Sequence, residues 1–361
     1  MKASLLAIGD ITVDAFVQLS DAWVETDNPE SAPELCMRFG DKIPYQSLHE
    51  VAGVGNAPNA SVCATRLGLH SHLIANLGND DNGKKCLAAL AAEGVDTENI
   101  AVHEHERTNY HFVLSFGAER TILVKHEIYR YTFPSPPHTD WVYLSSLGGK
   151  TLHYHEAIAA WLAKHPDIKL AFQPGSFQIA ASGEGVMKKL YARAEVVVCN
   201  KEEAAHIMQN LSRGAPSGNL RARRREHEEF FSKKISVSRE ARPEEEFCTP
   251  LSSLHSLGPK IVCITDGPRG AYMNAPEGTF FMPPYPDPAP PKNRTGAGDA
   301  FAATFVSYLA LGKTPQEALR RAPINSAFVV QHIGAQKGLL TKAQLEQYLT
   351  TAPEDFSPQK L

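Results

Sequence analysis

A chain of 361 residues with 43% hydrophobic and 21% charged residues has an ordinary globular composition, long enough for one large domain or two modest ones. Its net charge of −4 does not suggest a protein that coats nucleic acid or an anionic membrane. The six cysteines form no CxxC pair, which argues against a disulfide framework or a zinc site. No stretch approaches the roughly 18 apolar residues of a membrane span, and the N-terminal apolar run ends at Gly9, so we expect a cytoplasmic protein.

The first hundred residues alternate short apolar runs with segments of helical spacing. LLAIG (5–9) and SHLIANLG (71–78) are short and bounded by polar or small residues, which is typical of strands buried on both faces of a parallel sheet. NASVCATRLG (59–68) and GKKCLAALAAEG (83–94) have helical spacing and end in glycine, a common helix stop. This alternation predicts an α/β domain with helices on both faces of the sheet.

Two regions depart from that alternation. Residues 12–52 and 107–133 contain patterns in which apolar and polar residues take turns, such as TNYHFVLSF and RTILVKHEI. Such patterns predict antiparallel strands with one face in water. We expect these strands to form a small sheet that projects from the main domain and covers a site.

The α/β alternation resumes in the middle of the chain. Helical spacing at 155–165 precedes Pro166. Further strands are predicted at 141–147, 168–173, 194–200 and 260–267.

A charged segment at 212–250 interrupts this part of the chain. It is poor in apolar residues and contains the cluster RARRR, so it is predicted to be an insertion. The cluster could serve as a nucleic-acid or partner patch, but neighbouring glutamates balance its charge, and we favour a solvated loop without a nucleic-acid partner.

The stretch NRTGAGDAF (293–301) combines a small-residue turn with one acid. A turn made of Gly296, Ala297 and Gly298 lets main-chain N–H groups point into a cavity, and a helix starting there adds positive potential, which together suit a phosphate. An acid at 299 beside a phosphate suggests a base that takes a proton from an attacking hydroxyl. A Walker loop is absent, and Phe301 stands where a dinucleotide fingerprint needs glycine. The alternative is a capped helix start in which Asp299 only stabilises the helix dipole.

TGAGDAF and its following small-residue helix resemble the signature of the ribokinase-like (PfkB) sugar kinases. Further segments resemble that family in its order along the chain: GDITVD (9–14), GNAPNASVCATRLG (55–68), NLGNDDNGK (76–84), NKEEA (200–204) and TDGPRGAY (265–272). The resemblance implies a single kinase domain over 1–361, a three-layer α/β/α sandwich with a mainly parallel sheet and a small β lid. It also implies ATP-dependent phosphorylation of a hydroxyl with Mg²⁺.

The resemblance assigns roles to particular residues. Asp299 matches the catalytic base, and the turn before it matches the anion hole. Asp14, Asn59 and the backbone near Gly55 match sugar-binding positions. The remaining matches concern the nucleotide: Asn200 and Glu203 for magnesium and phosphate, the metal being held by Glu203 through water; Thr265, Gly267 and Gly270 for the nucleotide turn; and Asn325 near the base.

Three departures from the family pattern bear on these roles. Val54 replaces the first of a glycine pair before the sugar-binding Asn. Asn293-Arg294 stands where many members carry Asp-Thr, which leaves a monovalent cation requirement open. Gln173-Pro174-Gly175 replaces an Asp-Pro-Asn-like element and is expected to alter substrate contacts.

The substrate class is left open between related alternatives. A sugar or sugar-like acceptor is the first; a nucleoside is the alternative, with a base stacked on an aromatic lid residue such as Phe16, Trp23, Phe39 or Tyr110. A non-catalytic sugar-binding regulator is a second alternative, which the intact Asp299 and anion turn argue against. The lids of such kinases often pair between subunits, so the resemblance also suggests a homodimer.

Overall fold

The computed structural model describes residues 2–26, 33–213 and 243–361. Its strands are β1 Ser4–Ile8, β2 Thr12–Leu19, β3 Trp23–Glu25, β4 Glu34–Cys36, β5 Tyr45–Val54, β6 His70–Gly78, β7 Ile100–His103, β8 Asn109–Phe116, β9 Glu119–Leu123, β10 Trp141–Leu144, β11 Lys169–Phe172, β12 Val196–Asn200, β13 Ile261–Thr265, β14 Ala271–Ala275, β15 Gly278–Met282 and β16 Gln359–Lys360. Its helices are α1 Asn56–Arg66, α2 Asp81–Ala92, α3 Leu152–Lys164, α4 Ser176–Ala180, α5 Gly185–Arg193, α6 Lys201–Arg213, α7 Pro243–His255, α8 Ala297–Ala310, α9 Pro315–Val329 and α10 Lys342–Thr350, with a short 3-10 turn at Gly267–Arg269.

A ten-stranded sheet runs through the centre in the order β16-β15-β14-β13-β12-β11-β10-β1-β6-β7. The pairs from β7 to β13 are parallel, and the last three strands add an antiparallel edge. All six apolar runs predicted as buried strands lie in the parallel part, so that prediction is confirmed.

The sheet has a hydrophobic core on each face because alternate residues of its strands point to opposite sides. Leu5 and Ala7 of β1 belong to one core, whereas Leu6 and Ile8 belong to the other. The first core is covered by α1, α2, α8, α9 and α10, and the second by α3 to α7. This is the three-layer α/β/α arrangement expected from the sequence.

A four-stranded sheet with the order β5-β2-β8-β9 stands apart from the central one. Its outer pairs are antiparallel, but β2 and β8 are parallel, so the expectation of purely antiparallel strands was wrong. The reason lies in the central sheet, where β1 and β7 run in the same direction. The chain that leaves their carboxyl ends therefore enters β2 and β8 in the same direction.

The predicted insertion at 212–250 falls largely outside the described residues. Its last part belongs to α7, which begins at Pro243 and carries Phe247, a side chain that is 1% exposed in the second core. This part of the segment therefore packs against the main domain. Among the described residues no helix combines the length and apolar character needed to span a bilayer.

Candidate active site

A cavity of about 960 Å³ lies between the carboxyl ends of the parallel strands and the four-stranded sheet. This is where ligands bind in open α/β sheets. The structure brings most of the predicted site residues into its wall: Asp14, Gly55, Asn59, Asn200, Glu203, Thr265, Gly296, Gly298 and Asp299. These residues come from distant parts of the chain, so their convergence depends on the fold.

The glycine turn opens directly into helix α8. Gly296 is the residue before the helix and has φ 84°, a left-handed conformation that favours glycine. The first intrahelical bond is donated by the Ala300 amide to Gly296 O at 2.8 Å. The amides of Ala297, Gly298 and Asp299 therefore precede the helical ladder, as the anion-site prediction requires.

Three side-chain amides hold the carboxylate of Asp299. Asn56 Nδ2 donates to Oδ1 at 2.7 Å, and Gln173 Nε2 donates to the same oxygen at 3.2 Å. Asn59 Nδ2 donates to Oδ2 at 2.8 Å. Both oxygens are thus oriented by neutral donors, which fixes the carboxylate without neutralising it.

Two further residues orient those amides. Tyr143 donates its hydroxyl to Gln173 Oε1, so the nitrogen of that amide must face Asp299. Gln336 Nε2 donates to Asn59 Oδ1 at 3.0 Å and to the Gly53 carbonyl at 2.8 Å. The contact of Asn59 with Asp299 gives it a positioning role that the sequence did not predict.

The sequence did not identify Asn56 or Gln173 as partners of the acid. A signal existed for each: Asn56 lies three residues before Asn59, hence on the same helical face, and Gln173 lies where the family pattern is broken. The family pattern pointed to an altered substrate contact, whereas the structure shows an amide that contacts Asp299.

The environment of Asp299 favours a proton acceptor. Burial raises its pKa above the ordinary value, and the nearby Asp14 carboxylate raises it further, while the three amides act in the opposite direction. A carboxylate with a raised pKa is a better general base near neutral pH than an exposed one.

Asn200 and Glu203 form a reciprocal cap at the start of α6. The Asn200 amide donates to Glu203 Oε2 at 2.8 Å, and the Glu203 amide donates to Asn200 Oδ1 at 2.8 Å. Burial, followed by repulsion from Asp299 and Glu202, raises the pKa of Glu203 to about 7 despite the hydrogen bond from Asn200. A buried carboxylate facing another acid is a suitable place for a divalent cation.

Replacing Glu203 with glutamine is expected to flatten the dependence of stability on pH. The pKa of Glu203 rises from 4.5 to about 7 on folding, so between these values the folded chain binds more protons and loses stability as pH rises. Since one pKa unit corresponds to about 1.4 kcal/mol, the variant should lose on the order of 3 kcal/mol less than wild type between pH 4.5 and 8.

Urea unfolding at the two pH values, without nucleotide or magnesium, measures this difference. Glu156→Gln is the matched control, because it removes the same charge from an exposed position on α3 that does not affect the pKa of Glu203. Equal pH profiles for Glu203→Gln and wild type would contradict the assignment.

The predicted nucleotide turn follows β13. Thr265 lines the cavity, and Gly267 and Gly270 have φ 54° and 105°. A Cβ on Gly270 would lie 2.4 Å from the Met282 carbonyl, so the approach of β15 requires this glycine. The Arg269 guanidinium is held by Asp266 beside the turn.

The placement of Asn325 near the nucleotide base is not supported. This residue is fully buried in α9, donates to Thr304 Oγ1 at 2.8 Å and accepts from the Leu340 amide at 2.8 Å. Its amide ties α9 to α8 and to the segment before α10, and therefore serves the core.

The end of the cavity beside the four-stranded sheet contains buried polar atoms that make no hydrogen bond with the described residues, among them Asp14 Oδ1 and His111 Nε2. His126 Nδ1 also makes none, but it lies 3.2 Å from Asp10 Oδ2. His111 Nδ1 lies 3.5 Å from Asp14 Oδ1, and the two residues face each other across β8 and β2. Buried polar groups are costly without a partner, so this end fits a ligand with hydrogen-bonding groups.

The departure at Asn293-Arg294 also has a structural account. Asn293 is buried and its Oδ1 accepts from the Thr295 amide at 2.9 Å, so it shapes the loop before the glycine turn. Arg294 Nε lies 3.1 Å from Glu119 Oε1 at the β8–β9 hairpin. The arginine thus contacts the four-stranded sheet.

Comparison with known proteins gives matches over most of the chain. The family model described as pfkB family carbohydrate kinase matches residues 31–342. Ribokinase of Bacillus subtilis is 25% identical over 316 residues, which cover 87% of this chain and 92% of that protein.

Solved structures show the same fold. Ribokinase from Cryptococcus neoformans in complex with ADP has a TM-score of 0.71 at 20% identity, covering 96% of this chain and 99% of that one. The nucleoside kinase of Methanocaldococcus jannaschii has a TM-score of 0.71 at 17% identity, covering 97% and 99%.

Proposed function

Because the chain belongs to the pfkB family of carbohydrate kinases, it is an ATP-dependent phosphotransferase acting on an alcohol group, and we propose that Asp299 is its general base. One observation carries the proposal: a held carboxylate and the free amides of a glycine turn face the same cavity. The fold is the ribokinase-like α/β/α sandwich.

The proposed reaction uses the residues of the cavity in separate roles. Asp299 accepts the proton of the substrate hydroxyl as that hydroxyl attacks the terminal phosphoryl group of ATP. Gly296, Ala297 and Gly298 form the anion hole, in which main-chain amides stabilise the charge on the transferred group. Asn56 and Gln173 keep the carboxylate aimed at the hydroxyl.

The nucleotide is proposed to lie along the ends of β12 and β13. Asn200, Glu203 and Thr265 line that part of the cavity, with the turn of Gly267 and Gly270 beside it. Glu203 would hold Mg²⁺ through water, and the ion would offset the charge of the phosphates. The neutral Asn293 leaves potassium dependence to be measured.

The sugar is proposed to bind beside the four-stranded sheet, at Asp14, Gly55 and Asn59. A hydroxyl both donates and accepts, so a vicinal pair fits an acceptor-only carboxylate beside an imidazole. Asp14 Oδ1 and His111 Nε2, which are buried without a hydrogen bond, support a substrate with several hydroxyls.

The nucleoside alternative is not supported by the four aromatic residues considered for base stacking, because none of them is among the described residues that line the cavity. Phe177 does line it, so a base could stack only on a residue other than those four. Phe16 is buried, Trp23 and Phe39 are exposed, and Tyr110 donates its hydroxyl to Glu50.

His111→Leu is expected to raise the KM for the sugar about tenfold, the effect of losing one hydrogen bond to a buried polar group. The KM for ATP should not change, because His111 lies on the four-stranded sheet, at the proposed sugar end. Steady-state kinetics with the best acceptor measure both constants. His153→Leu, at the exposed start of α3, is the control. If it raised the KM for the sugar by the same factor, a direct contact between His111 and the sugar would be contradicted.

The four-stranded sheet is proposed to act as the lid and as the surface of a homodimer. Its apolar side chains Leu48, Phe112 and Leu123 are each about half exposed. Light scattering at micromolar concentration tests the dimer, and a purely monomeric chain would exclude it.

All six cysteines are free, which supports a cytoplasmic location.

The experiment that tests the function is a phosphorylation screen with ATP and Mg²⁺, with and without potassium. The acceptors are ribose, fructose, other hexoses and the common nucleosides. Transfer to a sugar supports the proposal, transfer mainly to nucleosides supports the alternative, and binding of sugar without any transfer would indicate a regulator.

A further inference from the structure

Three metal-ligating side chains cluster at the opposite end of the central sheet from the cavity. His70 and His72 lie at the start of β6, and the chain then runs about 26 Å to Gly78 at the carboxyl end of that strand. Asp96 lies beside them, in the segment that follows α2. The cluster therefore has no part in the phosphoryl transfer proposed above.

The backbone brings the three residues to one face. His70 and His72 are two residues apart on a strand, so their side chains point to the same side, and their ring centroids are 4.3 Å apart. The Asp96 amide donates to Ser71 O at 2.9 Å, and the Leu73 amide donates to Asp96 O at 3.1 Å. These bonds fix Asp96 opposite His72.

The carboxylate is already oriented for a ligand. Asp96 Oδ1 accepts from the Glu98 amide at 3.0 Å, which leaves Oδ2 facing His72 Nδ1 at 2.7 Å. Supporting hydrogen bonds of this kind orient the ligands of metal sites. One potential ligand atom from each of the three residues lies within 4.8 Å of the others.

The hydrogen bond between His72 and Asp96 could by itself account for that pair, but it does not involve His70. His70 is exposed, and no hydrogen bond to its imidazole occurs among the described residues. A metal about 2.0–2.1 Å from each nitrogen needs ligand atoms about 3.3 Å apart, a separation that rotation of this exposed ring can reach.

We propose that His70, His72 and Asp96 bind a divalent transition-metal ion such as Zn²⁺, with water at the remaining position. Two imidazoles and one carboxylate suit zinc and its neighbours, whereas Mg²⁺ prefers oxygen ligands. The site is thus chemically distinct from the magnesium site proposed for ATP. Its metal joins the start of β6 to the segment after α2 and stabilises the fold there.

Zinc titration by calorimetry tests the site on the full chain after chelator treatment, with excess Mg²⁺ present. Thiols that are not buried also bind zinc, so the background carries Cys36→Ser and Cys248→Ser. We expect one ion per chain, with Co²⁺ binding more weakly than Zn²⁺ according to the usual order.

His70→Ala is the decisive variant, because this exposed residue can be removed without disturbing the core. We expect its zinc affinity to fall about tenfold or more, since even supporting residues of metal sites contribute about 10–100-fold. Zinc should raise the Tm of the parent chain and not that of the variant. His153→Ala, another exposed histidine, should bind like the parent. Absence of a one-to-one site, or equal affinity in His70→Ala, would overturn the proposal whatever the kinase assays show.

Discussion

Asp299→Ala is expected to lower kcat by about 10²–10⁴-fold, the range that a positioned general base contributes. The carboxylate is the only part of the side chain that can accept a proton, and alanine leaves Asn56, Asn59 and Gln173 without their shared acceptor. Binding of ATP should persist, because the residues proposed for it lie elsewhere in the cavity. Binding of sugar should weaken but remain measurable, because only Asn59 among the residues proposed for it loses a contact. Initial rates and equilibrium dialysis measure the two effects separately.

Asp81→Ala is the matched control for that variant. Asp81, like Asp299, is an acid in the first turn of a helix, but it is exposed at the start of α2. If Asp299 only stabilised a helix dipole, both substitutions would cost a few tenths to about 1 kcal/mol of stability and little activity. If Asp299→Ala transferred the phosphoryl group at the wild-type rate, Asp299 would not be the general base. Asp299→Asn keeps the size of the side chain and guards against a loss that reflects misfolding alone.

Gly296→Ala is expected to lower kcat by about 10²–10³-fold, comparable to the loss of one amide donor from an anion hole. The φ of 84° disfavours alanine, and its Cβ would lie 2.3 Å from Ala335 Cβ. The turn must therefore shift, and the amides of Ala297 and Gly298 shift with it. Kinetics and urea unfolding should show a loss of activity far larger than the loss of stability.

Gly312→Ala separates the two causes. Gly312, just after the end of the same helix, has φ 81°, yet a Cβ there would meet nothing within 4 Å. It should show the cost of the left-handed conformation, about 1–2 kcal/mol, with normal kcat. If both variants lost activity in proportion to stability, the glycine turn would have no special role.

The sequence predicted the central sheet well because its strands carry a local signal. Strands such as β1 and β12 are buried on both faces, so four consecutive residues of each are apolar. The parallel pairing of β2 with β8 carries no such signal, because it joins segments about a hundred residues apart.

The sequence predicted those residues of the candidate site whose type is determined by the main-chain conformation. Gly296 is such a case, since its φ excludes most other residues. Gln173 and Asn56 act through side-chain contacts with a residue more than a hundred positions away, which no spacing rule shows. Asn325 was misplaced for a related reason: a motif position does not state which way a helical side chain points.

The shared register of Asp14 and His111 on two parallel strands has a consequence for water, the rival acceptor that is always present. Both residues belong to the four-stranded sheet, the proposed lid, whereas Asp299 belongs to a helix packed in the main body. A water molecule is too small to contact both the four-stranded sheet and Asp299, as a polyol can, so it does not stabilise the closed arrangement. Hydrolysis of ATP is then restrained by the size of the acceptor. A shortened polyol should give more free phosphate per molecule of phosphorylated product.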